Sequence, residues 1–258
     1  MRWILSGAAV GCLALLAGLA LLIARPNRPD VPLRTDSPDA LIDSAFAVVQ
    51  AGRADLLADL LHAPSDDFRL VLNQLGVLLY DLQRLGDSLA ERYPAEIQSI
   101  REQGASAGGA AAVAALQRGG GVGDRALRRI LADPFGWARE SRERITTASL
   151  GDDSAAVLVD GAPALGVGIL MRRENGRWWI ELPLGFPQVQ RYMPQTPEEH
   201  QVLGSMIKVI DNAILDLKKD IDDGRCANLE QAAELAGEKA FGPLIMCAIA
   251  YDRAMKAR

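Results

Sequence analysis

Histidine is nearly absent from this sequence, with two in 258 residues, and cysteine is hardly commoner, with three. Two histidines leave little room for histidine-based catalysis or for a zinc site. His62 ends a short helical stretch before Ala63-Pro64, and His200 follows Glu198-Glu199 in the first turn of another. The helix dipole favours His62 at a C-terminus and the acids Glu198 and Glu199 beside His200 at an N-terminus, so both sites read as structural. Three cysteines are too few for a disulfide framework, and none forms a C-x-x-C pair. Cys12 lies in a hydrophobic segment. Cys226, in a loop, and Cys247, on a helix, can pair in an oxidising compartment or remain buried thiols.

Surplus positive charge is also missing. A formal charge of −5 and a pI near 5.2 argue against the whole domain being a nucleic-acid binder, which needs a surplus of Lys and Arg to neutralise phosphates. Motifs for the common chemistries fail on inspection. Asp220, Asp222, Asp223 and Gly224 imitate a calcium loop, but Arg225 stands where the turn glycine belongs and Gln231 where a bidentate Glu is required. The glycines at 119–121 and 123 lack the Gly-Lys-Ser/Thr of a phosphate loop and the strand before it. Ser106, Ser154 and Ser205 have small neighbours but no glycine elbow and no placed base. No catalytic residue, metal ligand or cofactor is assigned on these grounds.

Residues 3–24 (WILSGAAVGCLALLAGLALLIA) carry no charge. At 1.5 Å per residue this run reaches about 33 Å, enough for a hydrocarbon core of about 30 Å. It continues through Leu21-Leu22-Ile23 to Arg25-Pro26 without a small-x-small site, so a retained single-pass anchor is expected and not a cleaved signal. Val10-Gly11-Cys12 imitates a lipoprotein site, but the apolar residues that follow argue against it. Gly7 and Gly11, and Ala14 and Gly18, have the spacing that lets membrane helices approach closely, a pattern that an Ala/Gly-rich segment also meets by chance. Arg2 and the α-amine on one side stand against Arg25, Arg28 and Arg34 on the other, a count that barely discriminates orientation. An uncleaved export signal would put the domain outside the cytoplasm, in the periplasm.

Residues 25–36 are Pro-rich and read as a stiff linker to one α+β domain over 37–258. Ser37-Pro38-Asp39 caps a helix with Leu41, Ile42, Ala45, Phe46 and Val49 on one face, ended by Gly52. A short second helix turns Leu56, Leu57, Leu60 and Leu61 inward. A longer one from Ser65 to Tyr93 carries Val71, Leu75, Leu78, Leu82, Leu85 and Leu89, a stripe for packing within the domain or for a homodimer seam. The residues from Gly104 to Gly123 are of low complexity, with an Ala-rich stretch between two glycine clusters, and Asp124 caps a brief basic helix. Arg118, Arg125, Arg128, Arg129, Arg139, Arg142 and Arg144 form a basic region. It suits anionic headgroups or an acidic partner, although interleaved acids also fit a solvated surface.

After Glu143 the pattern changes to four strands, 144–150, 154–160, 165–173 and 177–183. Asn175-Gly176 joins the last two, since both positions accept positive φ. Trp178 and Trp179 must point to opposite faces, one to the core and one to cover or exposure. Thr196-Pro197-Glu198-Glu199 is a capping box opening a helix whose inner face runs through Leu203, Met206, Ile210, Ala213, Leu217 and Ile221 to Gly224. Two shorter helices are expected after it, opened by Asn228 and by Gly242-Pro243.

The block 39–61 (DALIDSAFAVVQAGRADLLADLL), taken with the meander ending in Glu174-Asn175-Gly176-Arg177-Trp178-Trp179-Ile180, resembles the NTF2-like, cystatin-like superfamily. The resemblance implies a core over 37–64 and 144–186, helices wrapped on a curved antiparallel sheet of three to four strands, and a bacterial membrane-anchored setting. The helical insertion over 65–143 and the helices over 194–258 depart from the simple pattern. It also implies a binding role for the sheet's concave face, lined by Trp178, Ile180 and Leu182 or by the opposite set with Trp179. A non-enzymatic module binding a protein partner or a small apolar ligand is the first expectation. A hydrolase or isomerase with acids and Tyr in a cone-shaped pocket is the second, and a structural protein oligomerising through its helices the third.

Overall fold

The computed structural model describes residues 30–105, 135, 142–164, 168–182, 190 and 193–256. The fold is α+β, with a small antiparallel sheet and long helices, and its compact unit covers Pro32–Arg258. The expected anchor, with Gly7, Gly11, Ala14 and Gly18, lies outside the described residues. Among those described, no helix is long and apolar enough to cross a membrane.

Helix α1 (Pro38–Gln50) forms as its sequence dictates. The Ser37 hydroxyl accepts from Ala40 N at 3.1 Å, Pro38 opens the first turn, and Leu41, Ile42, Ala45, Phe46, Val48 and Val49 are buried. The next segment, Ala54–Leu60, is a 3-10 helix that buries Ala54, Ala58 and Leu60 and leaves Leu56 and Leu57 half-buried. It lies hard against α2 (Asp66–Arg92), where a Cβ on Gly76 would stand 2.7 Å from Asp55 O. α2 is capped by Ser65 and followed at once by α3 (Pro94–Ala105).

The leucine stripe of α2 packs within the chain. Leu85, Leu89, Tyr93 and Ile97 share a core with Leu217 and Ile221 of α4 (Pro197–Asp222), and with Cys226, Leu229 and Ala232 at the start of α5 (Leu229–Lys256). The Tyr93 hydroxyl donates to Cys226 O at 2.7 Å across this core. The α4 cap is a displaced capping box. Thr196 accepts from Glu199 N at 3.2 Å, while buried Glu199 accepts from Gln195 N, one residue earlier than the usual partner. On α4 only Leu217 and Ile221 of the expected inner face are fully buried, together with Gly204, Asp211 and Asp220. α5 is one helix where the sequence suggests two, and it runs through Pro243. Gly242 relieves only the crowding of proline against the preceding residue, while the missing N–H of Pro243 still costs the helix one internal hydrogen bond.

The sheet is built from β1 (Ile145–Gly151), β2 (Ser154–Val159), β3 (Ala162–Pro163), β4 (Ile169–Glu174) and β5 (Arg177–Glu181). Its order is β1-β2-β4-β5 with all neighbours antiparallel, and β3 pairs with the end of β2. Of the expected third strand, Ile169–Glu174 is observed as β4 and residues 165–167 lie outside the described residues, while a short extra strand, β3, precedes it. Asp160 (φ 53°) and Gly161 (φ 78°) fold β3 back on β2, and Asn175 (φ 53°) and Gly176 (φ 77°) make the β4–β5 turn. The β5 edge is bonded on its outer side: Trp178 N donates to Thr35 O at 2.8 Å, and His62 N to Ile180 O at 2.9 Å.

Candidate functional site

Strand alternation decides which tryptophan is available. Register puts Trp178 opposite Arg173 and Ile180 opposite Met171, on the face that also holds Ala155 and Val157. Much of that face is covered, with Ala155, Met171, Val157 and Trp178 all buried and Thr147 donating to Asp39 of α1 at 2.8 Å. Leu182, beyond the strand, joins a second cluster with Phe68 and Leu72 of α2. Trp178 thus belongs to the interior, while Ile180 and Leu182 are half-buried at its edge.

Trp179 faces the other way, on the side of its neighbour Arg172 and of Leu170, Ala156 and Leu158. This side is much more open. Leu170 is 45% exposed and Trp179 is half-buried.

Three cationic or polar groups gather on the Trp179 ring. The guanidinium of Arg177 lies 4.0 Å from the ring centroid and that of Arg69 5.5 Å, within cation–π range. His62 meets the ring edge-on, with centroids 6.5 Å apart. Both arginines also close the 3-10 helix. Arg69 donates to Ala58 O and Leu61 O, at 3.0 and 2.9 Å, and Arg177 donates to Asp59 O at 2.7 Å. Ala58 O also accepts from Leu61 N at 3.3 Å, so the guanidinium groups add side-chain hydrogen bonds to the carbonyls at and just after this helix end. Burial holds the Arg177 guanidinium below its ordinary range, opposed by Asp59 and reinforced by Arg69. Its Nε is buried without a hydrogen-bond partner.

His62 completes the cluster, with Nε2 3.0 Å from Glu174 Oε2 at the end of β4. The sequence places neither histidine in the meander. The Leu61–Ile180 parallel bridge brings His62 there, and its contact with Glu174 spans 112 residues that no local signal connects.

A second group lies apart from the sheet. Asp81 of α2 and Asp211 of α4 meet in the interface between the two helices, 9% and 8% exposed. Asp211 is pushed up to about 6, first by burial, then by the negative charge of Asp81 and a hydrogen bond with it, against the pull of Lys208. Its Oδ1 has no partner. This is a buried carboxylate of the kind expected in an enzyme pocket, but it sits between helices, away from the meander.

The other sequence candidates are dispersed. Arg118, Arg125, Arg128, Arg129 and Arg139 lie outside the described residues. Of the same basic region, Arg142 donates to Asp43 and Arg144 to Asp160, so both are paired internally. Cys226 is a buried free thiol, raised by burial and by Asp220, and Cys247 is free and half-buried. Of the two alternatives for this pair, the free thiols are observed and the disulfide is not formed. Cys247 stands 18 residues along α5 from Leu229, about 27 Å at 1.5 Å per residue, whereas a disulfide needs Cα atoms within about 7 Å. Among the described residues, no group of three or more His, Cys, Asp or Glu is placed to hold a metal ion.

Comparison with protein-family models, with curated proteins and with solved structures finds no match.

Proposed function

We propose that this chain is a membrane-tethered module of the NTF2-like type that acts by binding, and that a protein partner docks on the sheet face bearing Trp179. The supporting observation is the asymmetry of the sheet. One face buries Ala155, Val157, Met171 and Trp178, while the other leaves Leu170 exposed beside a half-buried Trp179. Trp and Arg are the residues that most often dominate binding energy at interfaces. Three arginines (Arg69, Arg172, Arg177) and His62 stand on or beside this face against Glu174 and Glu181, which suits an apolar partner segment carrying carboxylates.

A photo-crosslinking residue at position 170 of the full chain, expressed in its own membranes, tests this reading. An adduct of one defined mass is expected at 170 and not at exposed Asp216 on α4, and Trp179→Ala should abolish it without lowering the melting temperature by more than a few degrees. Equal labelling at 170 and 216 would refute it. Native mass spectrometry that finds a small molecule and no protein would redirect the reading to an apolar ligand.

A further inference from the structure

The distal half of α5 is apolar on sides that ought to differ. Residues 240–251 (AFGPLIMCAIAY) contain no charge. The half-buried positions 240, 247, 251 and 254 follow one another at one or two helical turns and mark the side turned to the protein. Ile245, Met246 and Ile249 mark another side, at i, i+1 and i+4, and they are 43%, 67% and 43% exposed. A soluble surface helix carries charged residues on its outer face, and a helix apolar all round is buried in something.

From this exposed face we infer that the distal half of α5 lies against the surface of the bilayer to which the chain is tethered. The inference rests on the membrane-tethered reading above. Length supports it: twelve uncharged helical residues reach about 18 Å, too short to span a bilayer and within the range of interfacial segments. Charge supports it too, because residues 252–258, just after the run, hold Arg253, Lys256 and Arg258 against Asp252. Cations at the edge of an apolar helical face meet anionic headgroups while the apolar side chains enter the acyl boundary. Tether length is the third argument. Only seven residues separate Ala24 from the compact unit beginning at Pro32, at most about 25 Å of chain. A bilayer held this close is present at far higher effective concentration than a second copy of the chain.

The test uses the full chain in vesicles of phosphatidylcholine and phosphatidylglycerol. An environment-sensitive fluorophore is placed at Ile249→Cys, with Cys12→Ala and Cys247→Ser, and at Asp216→Cys as the control. Blue-shifted emission, quenched by nitroxide lipids at 249 but not at 216, is expected. Met246→Glu, at an exposed position, should remove the quenching while leaving the melting temperature in place. If the chain survives an alkaline carbonate wash but the label at 249 emits as in water, the inference fails and the tether stands. Shielding at 249 that disappears when labelled chains are diluted with unlabelled ones, without lipid quenching, would assign the face to a second copy and overturn it. Loss of the chain in the wash would overturn the tether itself, and the inference with it.

Discussion

Replacing Asp211 by asparagine should make this protein more stable near neutral pH. Asp211 and Asp81 are both at least nine-tenths buried between α2 and α4, and Asp211 Oδ1 has no partner. The folded-state value of about 6 exceeds the ordinary 3.8, so the folded protein holds a proton that the unfolded chain releases. The stabilisation from that proton is complete below the unfolded value and is lost as pH rises through the folded one. The distance from 3.8 to about 6 corresponds to about 3 kcal/mol, with about two-thirds of it lost between about pH 4.5 and about pH 7.5.

An asparagine at this position keeps the shape, cannot ionise, and can donate its amide to Asp81. Urea unfolding followed by circular dichroism at several pH values across that window is the assay. Wild type should lose about 2 kcal/mol from the acid to the neutral end, while Asp211→Asn stays level and exceeds wild type by up to about 3 kcal/mol at the neutral end. Parallel curves for the two proteins, or an Asn variant less stable near neutrality, would refute the argument. Carboxylates held low by partners, such as Asp220 with Lys239 and Arg225, contribute the opposite slope, but only as pH falls through their own lowered values.

The remaining expectations concern packing. Gly76→Ala should cost about 1–3 kcal/mol, since its Cβ would meet the Asp55 carbonyl oxygen at 2.7 Å, whereas Gly237→Ala in α5 meets nothing within 4 Å and should add about 0.5–1 kcal/mol; thermal melts separate the two. Tyr93→Phe strands a buried carbonyl at Cys226 and should cost about 1–2 kcal/mol in urea unfolding, with m unchanged. Trp178→Ala should cost about 3–5 kcal/mol as a core truncation, and Trp179→Ala clearly less, with equal costs contradicting the assignment of faces.

The parts legible in the sequence are those written locally. Ser37-Pro38, Ser65 and Thr196 start helices because a side-chain oxygen meets a backbone N–H three residues on, a short-range event that the local residues alone can report. Asn175-Gly176 fixes a hairpin for the same reason. Asp160-Gly161 is an equal signal within a run that reads as one strand and a loop, and taking it at face value yields β3. Pro243 reads as a helix breaker because it lacks the N–H of an interior helical residue, yet the helix runs through it.

The candidate sites are of another kind. Trp179 is visible as one of a pair, but which member faces outward depends on which side α1 covers, and that is settled by contacts such as Thr147 with Asp39, 108 residues apart. His62 with Glu174 and Asp81 with Asp211 join segments more than a hundred residues distant, and neither member of either pair carries a motif. The difference has a physical cause. A cap or turn lowers the free energy of its own few residues in any context, so its sequence is constrained in place. A buried acid pair is unfavourable except in one packing of two helices, and its residues look like ordinary surface charges until the helices meet. Asp81 falls on the flank of the leucine stripe and Asp211 directly after Ile210, so the periodicity that marks the inner faces of α2 and α4 places both acids at the border of the packed surface. Charged residues at that border, on two helices whose apolar faces are both expected to be buried, are therefore the positions at which a sequence can reveal a buried titrating pair.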